Sequence, residues 1–447
     1  MTNSILNAKI VGHNNFQNGN KSNDEKFSLV TKLCLGVIFA SAALVGILPK
    51  TIIGIIILCA CVPLINTKDI YLVYPVMLFY HLKLGELFGF PVYSLFSLIF
   101  LFFTFLIDQD FKINVSFVAP FVLLFVYCCI VIVPHDMMRA MRAIFDSLGI
   151  MLLITHYLKN ETNLKKFFKV FALIALVAFF TGTQIQTSFN SGIIIDGELV
   201  ELVRNCATFE DPNYMGFFYT IAIFSTITLK LFNPKLRVIL VIALYAMLLS
   251  TLSLTAIVVN IILWFLYLTI TKKIKLKVIL LVILIVAVLF GLFAYGKANP
   301  DAPIFGMLAT RVSARFDNIE YVDSGNIGDI TSGRTKLAGI HFDYFMELPV
   351  WRMFVGMNAA STLRTDLDGF RTAAHNEYID LLLNVGIIGS AILLYFLLKR
   401  LFNVYNEYRE NQSSASLCIL FSKFVWISYA FTLTLYGDFR FLFAFLL

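Results

Sequence analysis

The sequence predicts an all-α fold: a polytopic integral membrane helical bundle of about 12–14 transmembrane helices with a large extracytoplasmic loop. Three observations predict it. The 447 residues are 59% hydrophobic and 14% charged, with a mean hydropathy of +0.83, far too apolar for an ordinary soluble domain. The apolar residues come in runs of about 16–20, long enough to cross a bilayer as helices. These runs are continuous rather than alternating, which argues against a strand barrel.

In chain order, residues 1–26 are Asn-rich with Lys9, Lys21 and Lys26, and read as a polar cytoplasmic tail. They lack the short apolar core and small-residue cleavage site of a secretory signal, so the first helix is expected to stay as an anchor. Residues 27–184 form the N-terminal membrane helices, expected at about 28–48, 51–66, 70–82, 89–107, 115–133, 143–158 and 167–184. A small outer loop, 185–213, precedes a second helical group, 214–295. That group has spans at about 214–232 and 277–295, and between them a stretch, 237–271, too long for one span. The stretch is expected to divide near Ser250-Thr251-Leu252-Ser253. A large outer loop, 296–378, leads to the C-terminal membrane helices, 379–447, with spans at about 379–398 and 417–435.

The formal charge is +7, yet its placement points away from nucleic acid. Lys159, Lys165, Lys166 and Lys169, then Lys230, Lys235 and Arg237, then Lys272, Lys273, Lys275 and Lys277, then Lys399 and Arg400 all sit in short loops between apolar runs. By the positive-inside rule those loops and the N-terminus are cytoplasmic, and 185–213 and 296–378 face outward. A multi-pass membrane location with a cytoplasmic N-terminus is the corresponding expectation. Of seven cysteines only Cys206 falls in an outer loop, which leaves no disulfide pair and no zinc spacing there. There is no phosphate-binding glycine loop, no dinucleotide fingerprint and no His-Glu-x-x-His, so no cofactor and no metal are expected.

The candidate chemistry lies where polar loops enter apolar helices. Within the large loop, 334–348 has helical periodicity with Leu337, Ile340, Tyr344 and Leu348 on one face, and Arg334 and His341 seven apart at its edge. Such a helix either aims Arg334 at an anionic headgroup or is an ordinary amphipathic helix with solvated charges. Arg352 follows, and then His375-Asn376 stands before a long apolar run. A histidine there is either a base, with an unperturbed pKa of roughly 6.5, or a boundary residue satisfied by a carbonyl or water. In the smaller loop Asp211-Pro212-Asn213 reads as a helix-initiating turn and Gly216 allows close helix approach; Asp211 and Asn213 are either structural caps or functional residues. Arg204 is not explained by a cap. Arg139 and Arg142 oppose the inside-positive trend and are either diphosphate contacts or snorkelling side chains. Guanidinium forks suit phosphate oxygens better than lysine does.

The ordered set Arg204, Asp211-Pro212-Asn213, Gly216, Ser332-Gly333-Arg334, Trp351, Gly356, His375-Asn376 and Gly386 with Gly389 resembles the O-antigen ligase and polymerase superfamily, over residues of about 200–435. The resemblance implies an O-antigen ligase-like, GT-C-type glycosyltransferase of the bacterial inner membrane that moves a glycan from an undecaprenyl diphosphate carrier without a metal, with its active site on the extracytoplasmic face. It implies His375 as base and Arg204 and Arg334 on the diphosphate, with Asp211, Asn213, His341, Arg352, Asn376, Arg139 and Arg142 as substrate contacts. The expected partners are lipid-linked donor and acceptor glycans, the bilayer, a chain-length regulator and a flippase. Gly356-Met357-Asn358 departs from the Gly-x-Gly of many relatives. The residue bias of a low-GC polysaccharide cluster favours a polymerase of O-antigen or capsule, with an O-antigen ligase acting on lipid A-core as the alternative. A flippase or secondary transporter is the rival class, but such proteins carry charges near the bilayer midplane in paired repeats, and no repeat is visible here.

Overall fold

The computed structural model describes residues 27–107 except 82 and 88, 137–271 except 186–187 and 196–197, and 291–313 except 292, 301, 303–305 and 311, together with 334–356, 375–433, Phe443, Ala444, Leu446 and Leu447. Helices stand on the apolar runs, and most are cut short by caps. Ser28, Asn160, Asp211, Asn233, Ser253, Asn376 and Ser413 each precede a helix and accept an amide hydrogen from its first turn. Each cap satisfies a donor that the helix itself leaves open. Pro212 and Pro234 add a preset φ at the first helical position.

The first half contains α1 (Leu29–Ala43), α2 (Lys50–Asn66), a 3-10 turn (Ile70–Val73) running into α3 (Tyr74–Tyr80), a short strand pair β1 (Glu86–Leu87) and β2 (Phe90–Pro91), and α4 (Val92–Ile107). Next come α5 (Met137–Leu152), which ends in a π turn, and α6 (Glu161–Gln184). An antiparallel hairpin, β3 (Ser188–Ile195) and β4 (Glu198–Asn205), then leads to α7 (Pro212–Thr228), α8 (Pro234–Leu249) and α9 (Leu254–Ile270). The last part holds α10 (Arg334–Glu347), α11 (Val350–Val355), α12 (Glu377–Asn411) and α13 (Ser414–Ala430).

Helix α7 is the centre of the main core: of its residues only Tyr214 and Ile227 escape full burial. It packs against α6, α8, α9 and α13. Phe224 stacks on Phe421 at 5.1 Å, Phe217 meets Tyr429 edge-on at 5.4 Å, and Phe218 stacks on Phe209 at 5.0 Å. Such offset and edge geometries add to the burial of the rings themselves. A small separate cluster, Phe345, Leu348 and Leu383 with Tyr344, Met353, Ile379 and Leu382, holds α10 and α11 on the start of α12. The outward sides of α1, α4, α8, α9 and α12 are apolar too, with Leu33, Phe102, Ile239, Phe265 and Phe402 exposed.

Three expectations are corrected here. The bundle of about 12–14 spanning helices is not what the described residues form: among them α12 is the one helix long and apolar enough to cross a membrane. Six shorter apolar helices among the described residues, α1, α2, α4, α9 and α13 included, run to 17 residues or fewer. A hydrocarbon core takes about 20 helical residues, and 17 reach only about 26 Å at 1.5 Å per residue. Run length in the sequence overstated helix length because capping turns lie inside the runs. Ser250 to Ser253 splits 237–271, and α1 stops at Ala43 where 28–48 was expected. The multi-pass inner-membrane location, with its inside and outside loops, rested on that bundle and falls with it. The all-α expectation is corrected as well, because 188–205, read as part of a loop, is a β-hairpin. The tail 1–26, the run 115–133 and most of 277–295 lie outside the described residues.

Candidate functional site

The first cluster is built where β4 ends. Strands β3 and β4 pair from Ile195 opposite Glu198 to Ser188 opposite Asn205, which sets Arg204 opposite Phe189. The hairpin is anchored beyond its end, since the Asn205 amide donates to the Ser250 carbonyl (3.3 Å). Arg204 is 4% exposed, and its Nε donates to the Thr251 carbonyl at 2.9 Å. A buried guanidinium carries five donors in a fixed fork, so one carbonyl at Nε orients the whole group. The segment after it is pinned on both sides. Ala207 has φ +49 and its backbone rests on Gly182 of α6, where any Cβ would collide with it; the Thr208 hydroxyl donates to the Phe79 carbonyl at 2.6 Å.

Asp211 caps α7: its Oδ1 accepts from the Asn213 amide at 2.6 Å and from Asn213 Nδ2 at 2.7 Å. Asn213, 3% exposed, accepts in turn from the Ser253 hydroxyl at 2.6 Å, and Ser253 caps α9. Two helix N-termini are thus joined through one buried amide. Deeper along the same helices, Asn260 Nδ2 donates to the Thr220 hydroxyl at 2.8 Å, which lies 3.1 Å from the Tyr429 hydroxyl of α13. A Cβ on Gly216 would stand 2.9 Å from Ala256 Cβ and 3.1 Å from that hydroxyl, so α7, α9 and α13 converge there. Capping accounts for the observed contacts of Asp211 and Asn213.

The second cluster is built at the start of α12. Asn376 caps it, accepting from the Tyr378 amide at 3.1 Å and the Ile379 amide at 3.3 Å. His375, half-buried, has φ +52, a left-handed conformation uncommon outside glycine. Buried Glu377 and Asp380 occupy the first turn, where the positive end of the helix favours carboxylates. Tyr378 ties this end to α13, donating to the Ile427 carbonyl at 3.2 Å with its ring 4.8 Å from Phe431. Helix α13 therefore touches both clusters, through Tyr429 on one side and through Ile427 and Phe431 on the other.

Arg334 opens α10, whose buried positions are His341, Phe345 and the following Leu348; of the expected face Leu348 is buried, while Leu337, Ile340 and Tyr344 are only half-buried. His341 belongs to the buried positions and not to an edge: it is 5% exposed, and Nδ1 donates to the Leu337 carbonyl at 2.8 Å. Arg352, half-buried on α11, lies 4.5 Å above the exposed Trp351 ring in a cation–π contact. Arg139 and Arg142 fall near the start of α5, a helix that packs chiefly against α4. Ser332, Gly333 and Arg371 lie outside the described residues. Among the described residues no group of three or more His, Cys, Asp or Glu comes together. Sequence reasoning missed Thr251, Ser253 and Asn260 as partners, although polar residues within an apolar run were a visible signal. It also missed Glu377 and Asp380.

The two clusters define a helical protein whose polar side chains gather at helix starts, with arginines and a histidine among them. Residues 238–394 match the family model described as O-Antigen ligase, which supports assignment of this region to the O-antigen ligase and polymerase superfamily. The match contains Arg334, His341, Arg352, His375 and Asn376, while Arg204, Asp211 and Asn213 precede it. Comparison with curated proteins found no match.

Proposed function

We propose that this protein is a glycan transferase of the O-antigen ligase type, moving a glycan from a polyprenyl diphosphate carrier to the hydroxyl of a lipid A-core acceptor. The description of the matched family favours this over the polymerase expected from residue bias. One observation carries the reading to the whole site: Arg204 and Asn213, outside the matched region, are hydrogen-bonded to Thr251 and Ser253 inside it. The first cluster is therefore tied to the start of the matched region.

In this reading the acceptor oxygen attacks the anomeric carbon of the carrier-bound glycan. His375 takes the acceptor proton, the bond from that carbon to the diphosphate oxygen breaks, and polyprenyl diphosphate leaves with the electron pair. The developing charge falls on the diphosphate, where preorganised cations act most strongly in a water-poor site. Burial suits Arg204 to that role, and Arg334 is its partner. Direct displacement inverts the anomeric centre. The experiment is transfer by the purified protein from a polyprenyl-diphosphate-linked glycan to lipid A-core, read as glycan-bearing acceptor and released polyprenyl diphosphate. Extension of a second lipid-linked repeat without transfer to lipid A-core would replace the ligase reading by the polymerase one. Absence of both products would end it.

A further inference from the structure

The last part of the chain contains a backbone contact that the proposed chemistry does not use. Helix α12 is not one continuous helix: Gly386 has φ +66 and ψ −172, so its backbone breaks between 377–385 and 387–411. The break is met by a second glycine. Gly356, at the end of α11, has φ +82. A Cβ at Gly356 would collide with the Asn384 carbonyl and stand 2.7 Å from the Gly386 nitrogen. A Cβ at Gly386 would collide with the Phe354 carbonyl and stand 2.5 Å from the Gly356 nitrogen. Two main chains thus touch where neither can carry a side chain, and both residues adopt a conformation that glycine alone takes at little cost.

What this joint aims is the 377–385 segment. That segment begins at the His375-Asn376 cap, and its far side holds α10 and α11 through Phe345, Leu348 and Leu383. Beyond the break α12 runs on to Asn411, and the helix packs on α13, Tyr378 of the first segment included. We infer that Gly356 and Gly386 are positioning residues: their backbone contact sets the angle of the 377–385 segment, and through it the placement of His375. This rests on the reading of His375 as the base. Misplacing a reacting group by about 1 Å costs on the order of 10²-fold in rate, so an angular change at the joint reads out in turnover rather than in substrate binding.

The test compares the full-length protein with Gly386→Ala, Gly356→Ala and, as a control, Gly339→Ala, whose Cβ would meet nothing within 4 Å. Phe345→Ala is added because it loosens the same seat without a clash and keeps the test open if an alanine at the joint prevents folding. Two readouts are taken: kcat and KM for transfer, and amide hydrogen exchange of 377–385 against that of α7. The expected result is a kcat lowered about 10²-fold with KM little changed in the joint variants, faster exchange confined to 377–385 and α11, and a smaller loss of the same kind in Phe345→Ala. Gly339→Ala should behave as the parent. Unchanged kcat with faster exchange overturns the inference, as does lost kcat with unchanged exchange. Uniformly faster exchange in α7 as well makes the glycines general packing residues and also overturns it. If the parent transfers no glycan, the proposed function fails, while the exchange arm still decides whether the joint aims the segment.

Discussion

The two clusters are assembled by opposite means. Around α7 the chain is held by side-chain hydrogen bonds that run from cap to cap: Asp211 to Asn213, Asn213 to Ser253, Asn260 to Thr220. Around the start of α12 it is held by glycines whose main chains touch, Gly356 against Gly386, over a small apolar seat. A network of buried polar groups fails in proportion to the bonds removed, because each lost partner leaves a desolvated group behind. A backbone joint fails when anything is added. The polar cluster should therefore be sensitive to truncation and the glycine joint to enlargement.

The largest effects are expected at the chemistry itself. His375→Ala should lower kcat by about 10²–10⁴ with normal protein abundance, as loss of a general base does. Loss of abundance or of thermal stability instead would mark His375 as an anchor for α12. Next comes Arg204→Ala, expected to lower transfer by about 10²–10³, the scale seen when one preorganised donor to a developing charge is removed. Because Arg204 is also buried against Thr251, Arg204→Lys sharpens the experiment: partial rescue of rate separates the phosphate role from packing. Equal abundance and full activity in Arg204→Ala would take that residue out of the mechanism.

Asn213→Ala should act on stability instead, by about 1–3 kcal/mol, since it strips one cap of its partner and leaves the Ser253 hydroxyl buried. The melting temperature should fall while KM stays within a few-fold of the parent. A collapse of kcat in a well-folded Asn213→Ala variant would reassign the residue from tie to substrate contact. Tyr429→Phe is the mildest test. It removes the hydroxyl facing Thr220 and should cost about 0.5–1.5 kcal/mol by thermal denaturation, with activity retained.

Much of this was readable before the fold was known, and the failures have physical causes. The cap at Asp211-Pro212 and the division at Ser250 to Ser253 were legible because capping and breaking are local chemistry. So was the closeness at Gly216, since a glycine facing other helices invites approach. Helix lengths were not, because hydropathy counts residues in a run and does not see where a serine or asparagine ends a helix inside it. The hairpin at 188–205 was overlooked although Asp196-Gly197 between two β-branched runs is a strong short-range turn signal. It was subsumed in a loop because its neighbours were read as membrane helices. His341 was set at an edge because periodicity fixes a face only to within about one residue, and the packed side of α10 includes the neighbouring Phe345. The Gly356 to Gly386 contact joins residues far apart in the chain, and nothing local announces it.

The strand that carries Arg204 has a consequence for how this protein can change. Successive residues of a strand point to opposite sides, so the side to which Arg204 turns depends on parity, on whether an even or odd number of residues separates it from the hairpin turn. One residue inserted into β4 ahead of it would point the guanidinium away from Thr251, and a second insertion would bring it back. Arg334 stands under another rule, because it opens a helix, where each added residue turns the positions after it by about 100°. The two arginines given the same task are thus held to different arithmetic, and a length change harmless to one is ruinous to the other.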